Sequence, residues 1–133
     1  MIVVDAGVLV VALAEDGEPG HVARTRLRGE RLAAPELIDL EVLSALRGLS
    51  RSGKVLPRRA DLALVDLESL PMDRAPHNLL LRRCWELRDN LTPYDASYVA
   101  LAEALDTTLL TGDRRLAGAT GPRCRVELIR VSN

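Results

Sequence analysis

The chain has 133 residues, 47% of them hydrophobic and 28% charged, with a mean hydropathy of +0.04. That balance excludes a disordered or collagen-like polymer, and no stretch reaches the ~20 apolar residues that a membrane-crossing helix needs. The 18 basic and 19 acidic residues leave a formal charge of −1, which neither demands nor forbids a nucleic-acid partner.

The length suits a single domain over residues 1–133. Lys54 is the only lysine, so the other 17 basic residues are arginines. There is no phenylalanine, and Trp85, Tyr94 and Tyr98 are the only aromatics, too few for a base-stacking platform. Cys84 and Cys124 cannot make a disulfide framework. They are expected to be free thiols, with Cys84 buried in an apolar helix, in a reducing cytoplasm. Met1-Ile2-Val3-Val4-Asp5 has no basic region and no cleavage site, so no signal peptide is expected.

In chain order, Ile2–Val4 is a short β-branched strand ended by Asp5. A helix follows over roughly Gly7–Ala14, then a turn at Gly17, Pro19 and Gly20, then a helix over 21–29 closed by Gly29. Arg31–Ala34 is a candidate strand. Pro35 is expected to start a helix that runs to about Ser52, with Gly53 beyond its end. Residues 57–69 form the next helix, and Leu70–Arg74 an edge strand flanked by Pro71 and Pro76. Residues 77–89 are expected as an apolar helix carrying Cys84 and Trp85. Helix Thr92–Leu105, strand Thr107–Thr111, a short helix over 114–118 and strand Val126–Val131 complete the chain. Strands alternating with helices predict an α/β fold with helices on both faces of a mostly parallel sheet. In such sheets ligands gather beyond the carboxyl ends of the strands.

Four acids stand in positions that matter. Asp5 follows three consecutive apolar strand residues, so it lies at the end of a strand buried on both faces. Asp113 follows the strand ending at Thr111 in the same way. Either could serve only as a helix N-cap. Asp95 closes Thr92-Pro93-Tyr94-Asp95, which has the form of a capping box with Pro93 at the first helical position. Glu41 lies about 60° around its helix from Ile38. It borders the apolar stripe Ile38, Val42, Ala45, Leu46 and Leu49, where an unpaired carboxylate is costly. An ion pair with an arginine would satisfy it equally well. Were all four to meet within ~5 Å, each pair would repel by about 3 kcal/mol at an effective dielectric near 20. The six pairs would then exceed the ~5–15 kcal/mol stability of a domain. Protonation or a bound cation would have to relieve that repulsion, and an all-oxygen donor set suits Mg²⁺ or Mn²⁺.

These segments carry a resemblance. Ile2-Val3-Val4-Asp5, Asp39-Leu40-Glu41-Val42, Tyr94-Asp95-Ala96-Ser97-Tyr98-Val99-Ala100-Leu101-Ala102 and Leu110-Thr111-Gly112-Asp113-Arg114-Arg115-Leu116 resemble the PIN-domain ribonucleases. More closely, they resemble the VapC toxins of bacterial toxin–antitoxin pairs. The most specific block is Tyr94–Tyr98, and the likeness spans nearly the whole chain. The resemblance implies a three-layer α/β/α fold with a central, mostly parallel sheet of four or five strands. It implies Mg²⁺, with Mn²⁺ as a possible substitute, on Asp5, Glu41, Asp95 and Asp113. Asp5 and Asp95 would hold the better-occupied ion, and Thr111 would orient an acid or the metal. It further implies cleavage of RNA to 5′-phosphate and 3′-hydroxyl ends, a homodimer, and silencing by a cognate VapB-like antitoxin. One departure is Gly7, where related chains more often carry serine or another small residue.

With the four acids set aside, 18 basic residues face 15 acidic ones, and Arg114, Arg115, Arg47 and Arg51 become candidate phosphate contacts. Other readings fare worse. A haloacid-dehalogenase-type phosphatase needs a second Asp where Gly7 stands. A receiver domain needs a lysine after a late strand, and Lys54 lies between helices. His21 and His77 sit in no hydrolase motif and are expected at the surface or as caps. From another class, a PIN-fold module could bind an antitoxin without cutting RNA.

Overall fold

A computed structural model describes residues 1–130. Five parallel strands form one sheet in the order β3-β2-β1-β4-β5. They are β1 (Ile2–Val4), β2 (Leu32–Pro35), β3 (Met72–Ala75), β4 (Thr108–Thr111) and β5 (Val126–Leu128). The helices between them are α1 (Ala6–Ala14), α2 (Glu18–Leu27), α3 (Ile38–Arg51), α4 (Pro57–Ser69), α5 (Leu81–Glu86), α6 (Pro93–Ala104) and α7 (Arg114–Ala117). This is the α/β architecture that the alternating pattern predicts, with five strands, all parallel. Right-handed crossovers from β1 to β2 and on to β3 put α1–α4 on one face of the sheet. The chain then returns past β1 to β4 and lays α5 and α6 on the other. Strand order therefore reverses beside β1, and β1 and β4 are direct neighbours with Val4 opposite Leu110.

The core explains the order. Ile2, Val3 and Val4 of β1 and Leu109 and Leu110 of β4 are buried between both helical layers. Helix α1, Ala-Gly-Val-Leu-Val-Val-Ala-Leu-Ala, is apolar on every side, as a buried helix must be. Its last carbonyls would be orphaned by burial, and two arginines close them. Arg24 Nη1 donates to the Ala12 and Glu15 carbonyls at 3.0 and 2.7 Å, and Arg59 Nη2 donates to Leu13 O at 2.8 Å.

Several elements depart from expectation. Pro35 ends β2 rather than starting a helix. The strand's pairs with β1 are Leu32 and Ala33, so Pro35 lies past them and its missing N–H breaks no bond to β1. Helix α3 begins only at Ile38, and the Leu37 N–H before it donates to His77 Nε2 at 2.9 Å. Pro19 and Gly20, expected in a turn with Gly17, lie in the first turn of α2, where proline is tolerated, and Gly17 is its N-cap. The expected helix over 77–89 is broken into a 3₁₀ turn (Asn78–Leu80) and the six residues of α5. Leu80, Cys84 and Leu87 keep one inward row, while Leu79, Leu81 and Trp85 are exposed. Cys84 is half-buried rather than buried, and Cys84 and Cys124 are both free thiols. Strand β5 stops at Leu128, three residues long against three of β4. Val131, expected as its end, lies outside the described residues.

Gly20 sits where α2 crosses the end of α1. A Cβ there would come within 1.8 Å of the Glu15 carbonyl oxygen, a backbone atom. Gly48, exposed in the middle of α3, has nothing within 4 Å of its would-be Cβ. Opposite outcomes are expected from one substitution at the two sites. Gly48→Ala should stabilise by roughly 0.5–1 kcal/mol through helix propensity. Gly20→Ala should destabilise by about 1–3 kcal/mol or more through overpacking. Chemical denaturation of both variants measures the difference.

Candidate active site

Reversal of strand order at β1 opens a crevice at the carboxyl ends of β1 and β4. Asp5 follows β1 directly, and Asp113 follows β4 after Gly112. Thr111, the buried last residue of β4, joins them. Its hydroxyl donates to Asp5 Oδ2 and accepts the backbone N–H of Asp113 at 3.0 Å.

Capping and clustering prove compatible. Asp5 Oδ1 accepts the Val8 N–H at 2.9 Å and caps α1, while Oδ2 turns to Thr111. Asp113 Oδ1 accepts the N–H groups of Arg115 and Leu116 at 2.8 and 3.4 Å and caps α7, leaving Oδ2 on the other side. In the third case Thr92 is the cap of α6, receiving the Asp95 N–H at 3.2 Å, with Pro93 in the first turn as expected. Asp95 is thereby free to direct Oδ2 away from its own helix.

All four acids are partly buried. Burial is the main influence that raises the pKa of Asp5. The hydrogen bonds from Thr111 and Val8 oppose it, and the negative charges of Asp113 and Asp95 add to it. These mutual effects place three carboxylates in one electrostatic neighbourhood. Glu41, in the first turn of α3, is reached by another residue of α6. The Tyr98 hydroxyl donates to Glu41 Oε1 at 2.6 Å. The buried Tyr98 phenol is held far above its usual pKa, first by burial and then by the Glu41 bond and charge, with Asp5 contributing.

The repulsion feared from four converging charges is dispersed by donors. Thr111 takes an oxygen of Asp5, and Tyr98 takes one of Glu41. Arg115 Nη2 bridges Asp95 Oδ2 at 3.1 Å and Asp113 Oδ2 at 3.3 Å. Among the described residues no three acidic, histidine or cysteine side chains are gathered closely enough to hold a metal ion as they stand. Of the four arginines singled out from the sequence, the structure brings Arg115 onto the acids. Arg114 is exposed beside it on α7. Arg47 and Arg51 are exposed six and ten residues beyond Glu41, about 9 and 15 Å along the axis of α3. Tyr98 was legible only as part of a motif. Its spacing of three from Asp95 on one helix is the signal that places it on the same face. A cavity of about 660 Å³, lined by Leu9, Leu13, Arg24, Leu27, Arg59 and Pro71 among others, lies where β2 and β3 begin. None of the four acids lines it.

Because Asn keeps an Oδ1 acceptor for the Val8 N–H and removes a charge that burial disfavours, Asp5→Asn should melt at or above the wild-type temperature. Asp5→Ala loses the cap and should cost about 1 kcal/mol. Thermal melts followed by circular dichroism check both.

Comparison with known proteins finds relatives over nearly the whole chain. The sequence profile of the PIN domain matches residues 2–121. Ribonuclease VapC1 of Mycobacterium tuberculosis is 46% identical over 129 residues, which are 96% of this chain and 97% of that protein. Ribonuclease VapC9 of the same organism is 41% identical over 129 residues, 97% of this chain and 98% of the relative. Among solved structures, PAE2754 from Pyrobaculum aerophilum superposes with a TM-score of 0.64 at 30% identity, covering 94% of this chain and 81% of that one.

Proposed function

This chain belongs to the PIN-domain family and within it to the VapC ribonucleases, and from that premise we propose that it is a Mg²⁺-dependent endoribonuclease, the toxin of a VapBC-type pair. The observation that supports the reading is the hydrogen-bonded chain Asp5–Thr111–Asp113 at the strand-order reversal, with Arg115 linking Asp113 to Asp95 and Tyr98 of α6 bonded to Glu41.

The residues fit a hard divalent ion. Every donor is a carboxylate oxygen, and two of them already attract a cation, the Arg115 guanidinium. Asp5, Glu41, Asp95 and Asp113 would hold the ion, and Mn²⁺ could replace Mg²⁺. When bound, a divalent ion lowers the pKa of water and offsets the charge that builds on a phosphate under attack. Thr111 keeps Asp5 Oδ2 turned into the crevice, and Tyr98 fixes the rotamer of Glu41. Arg114, with Arg115 once it is free, supplies positive charge for the RNA backbone beside the acids. Arg47 and Arg51 are placed for a more distant stretch of the strand. A non-catalytic module that only binds an antitoxin is the second reading, favoured by the Arg115 bridge across two of the acids.

Purified protein free of any partner should cleave RNA with Mg²⁺ and stop when EDTA is added. Tyr98→Phe, which frees Glu41, should lower the rate by roughly 10–100-fold. Asp95→Asn should lower it by more. Cleavage that persists in EDTA, or no cleavage with Mg²⁺, would overturn the reading.

We further propose a homodimer, silenced by a VapB-like antitoxin and working in the cytoplasm. Free Cys84 and Cys124 suit a reducing compartment, and no described helix is long and apolar enough to cross a membrane. Dimerisation has support in exposed apolar side chains on one short segment, Leu79, Leu81 and Trp85. Leu81 and exposed Tyr94 line one apolar cavity of about 200 Å³ together with Leu37 and Leu80. Sedimentation equilibrium should give twice the 14.5 kDa chain mass, and a strictly monomeric profile would reject the dimer.

A further inference from the structure

Arg115 stands out among the groups around the acids, and its significance rests on the four-acid metal site proposed for this chain. Arg115 Nη2 lies 3.1 Å from Asp95 Oδ2 and 3.3 Å from Asp113 Oδ2, so one nitrogen bridges carboxylates from α6 and from the end of β4. Among the described ion pairs those two acids have no other cationic partner. The bridge is made from outside. Arg115 lies in the four-residue α7 and its side chain is 67% exposed, so packing does not dictate where the guanidinium goes. The charges of Asp95 and Asp113 do.

A guanidinium is permanently positive but carries one charge, presents donors in a plane and cannot be enclosed by oxygens on all sides. It relieves the acids without being the ion they suit. We propose that Arg115 is the resident cation of this site, a competitor that a divalent ion must displace from Asp95 and Asp113, and that it thereby sets how tightly metal binds. Displacement costs little elsewhere, because an exposed side chain leaves no cavity behind. The freed guanidinium stays tethered at the mouth of the crevice with all its donors available. Entry of the ion and readiness to receive a phosphate are then one event.

The test is calorimetric titration of Mn²⁺, and separately Mg²⁺, into the RNA-free protein, comparing wild type with Arg115→Gln and Arg115→Lys. If the bridge occupies the acids about 80–95% of the time, its removal should tighten binding by roughly fivefold to twentyfold in Arg115→Gln. Arg115→Lys keeps the charge and should stay closer to wild type. In thermal melts, Arg115→Gln should gain more from added Mn²⁺ than wild type gains. If wild type binds the ion and Arg115→Gln binds it no more tightly, Arg115 is not a competitor, although the metal site stands. If no form binds or is stabilised by either ion, the four-acid reading fails and this proposal fails with it.

Discussion

Where β1 stops, the carboxyl group of Asp5 is largely withdrawn from water, and much of the local architecture answers to that. A carboxylate so placed needs hydrogen-bond donors. It finds one in the first turn of α1, through the Val8 N–H, and one at the end of β4, in the Thr111 hydroxyl. The first is local to α1, and the second exists because β1 and β4 are adjacent and parallel, with their carboxyl ends level. Were the strand order to reverse anywhere else, Asp5 and Asp113 would open on different edges of the sheet. The topology and the polar site are thus one fact seen at two scales.

The rest of the cluster shows how a small domain accommodates crowded negative charge. A hydroxyl attends Asp5, a phenol attends Glu41 and a guanidinium bridges Asp95 and Asp113, so the charges are separated by donors rather than set against one another. Stabilisation of this kind is reversible. An exposed arginine paired with part-exposed carboxylates is a weak bond in water, whereas the Tyr98–Glu41 bond, with its phenol buried, is held by the packing of α6. The cluster therefore has a fixed side, around Asp5 and Glu41, and a yielding element, the Arg115 guanidinium that bridges Asp95 and Asp113.

Much of this is legible in the sequence, for identifiable reasons. Asp5 and Asp113 can be placed because each follows a short apolar strand, and strand ends are where parallel sheets gather ligands. Thr92 and Pro93 announce the start of α6 through local chemistry alone. Expectation fails where a distant neighbour decides the outcome. Pro35 can close a strand because pairing with β1 has already ended. The start of α3 depends on His77, forty residues away, which sequence alone places no better than at the surface or as a cap. The segment over 77–89 has helical composition and an inward row at Leu80, Cys84 and Leu87, yet it forms a 3₁₀ turn followed by six residues of helix. Capping and site-building look like rival roles for Asp5 and Asp113, yet a carboxylate has two oxygens and both roles coexist. The contact of Tyr98 and the bridging pose of Arg115 are hidden because each depends on which carboxylate stands opposite in space.

That sharing of oxygens has a consequence for recognition. Asp5 and Asp113 each commit one oxygen to the first turn of a helix, so their side-chain torsions are settled during folding. An arriving guest need not freeze them. The entropy of ordering two flexible acids is charged to the formation of α1 and α7 and is already met before anything arrives. Helix nucleation at the strand ends is thus also the step that aims the crevice, and the same N–H groups that begin each helix hold the receptor ready.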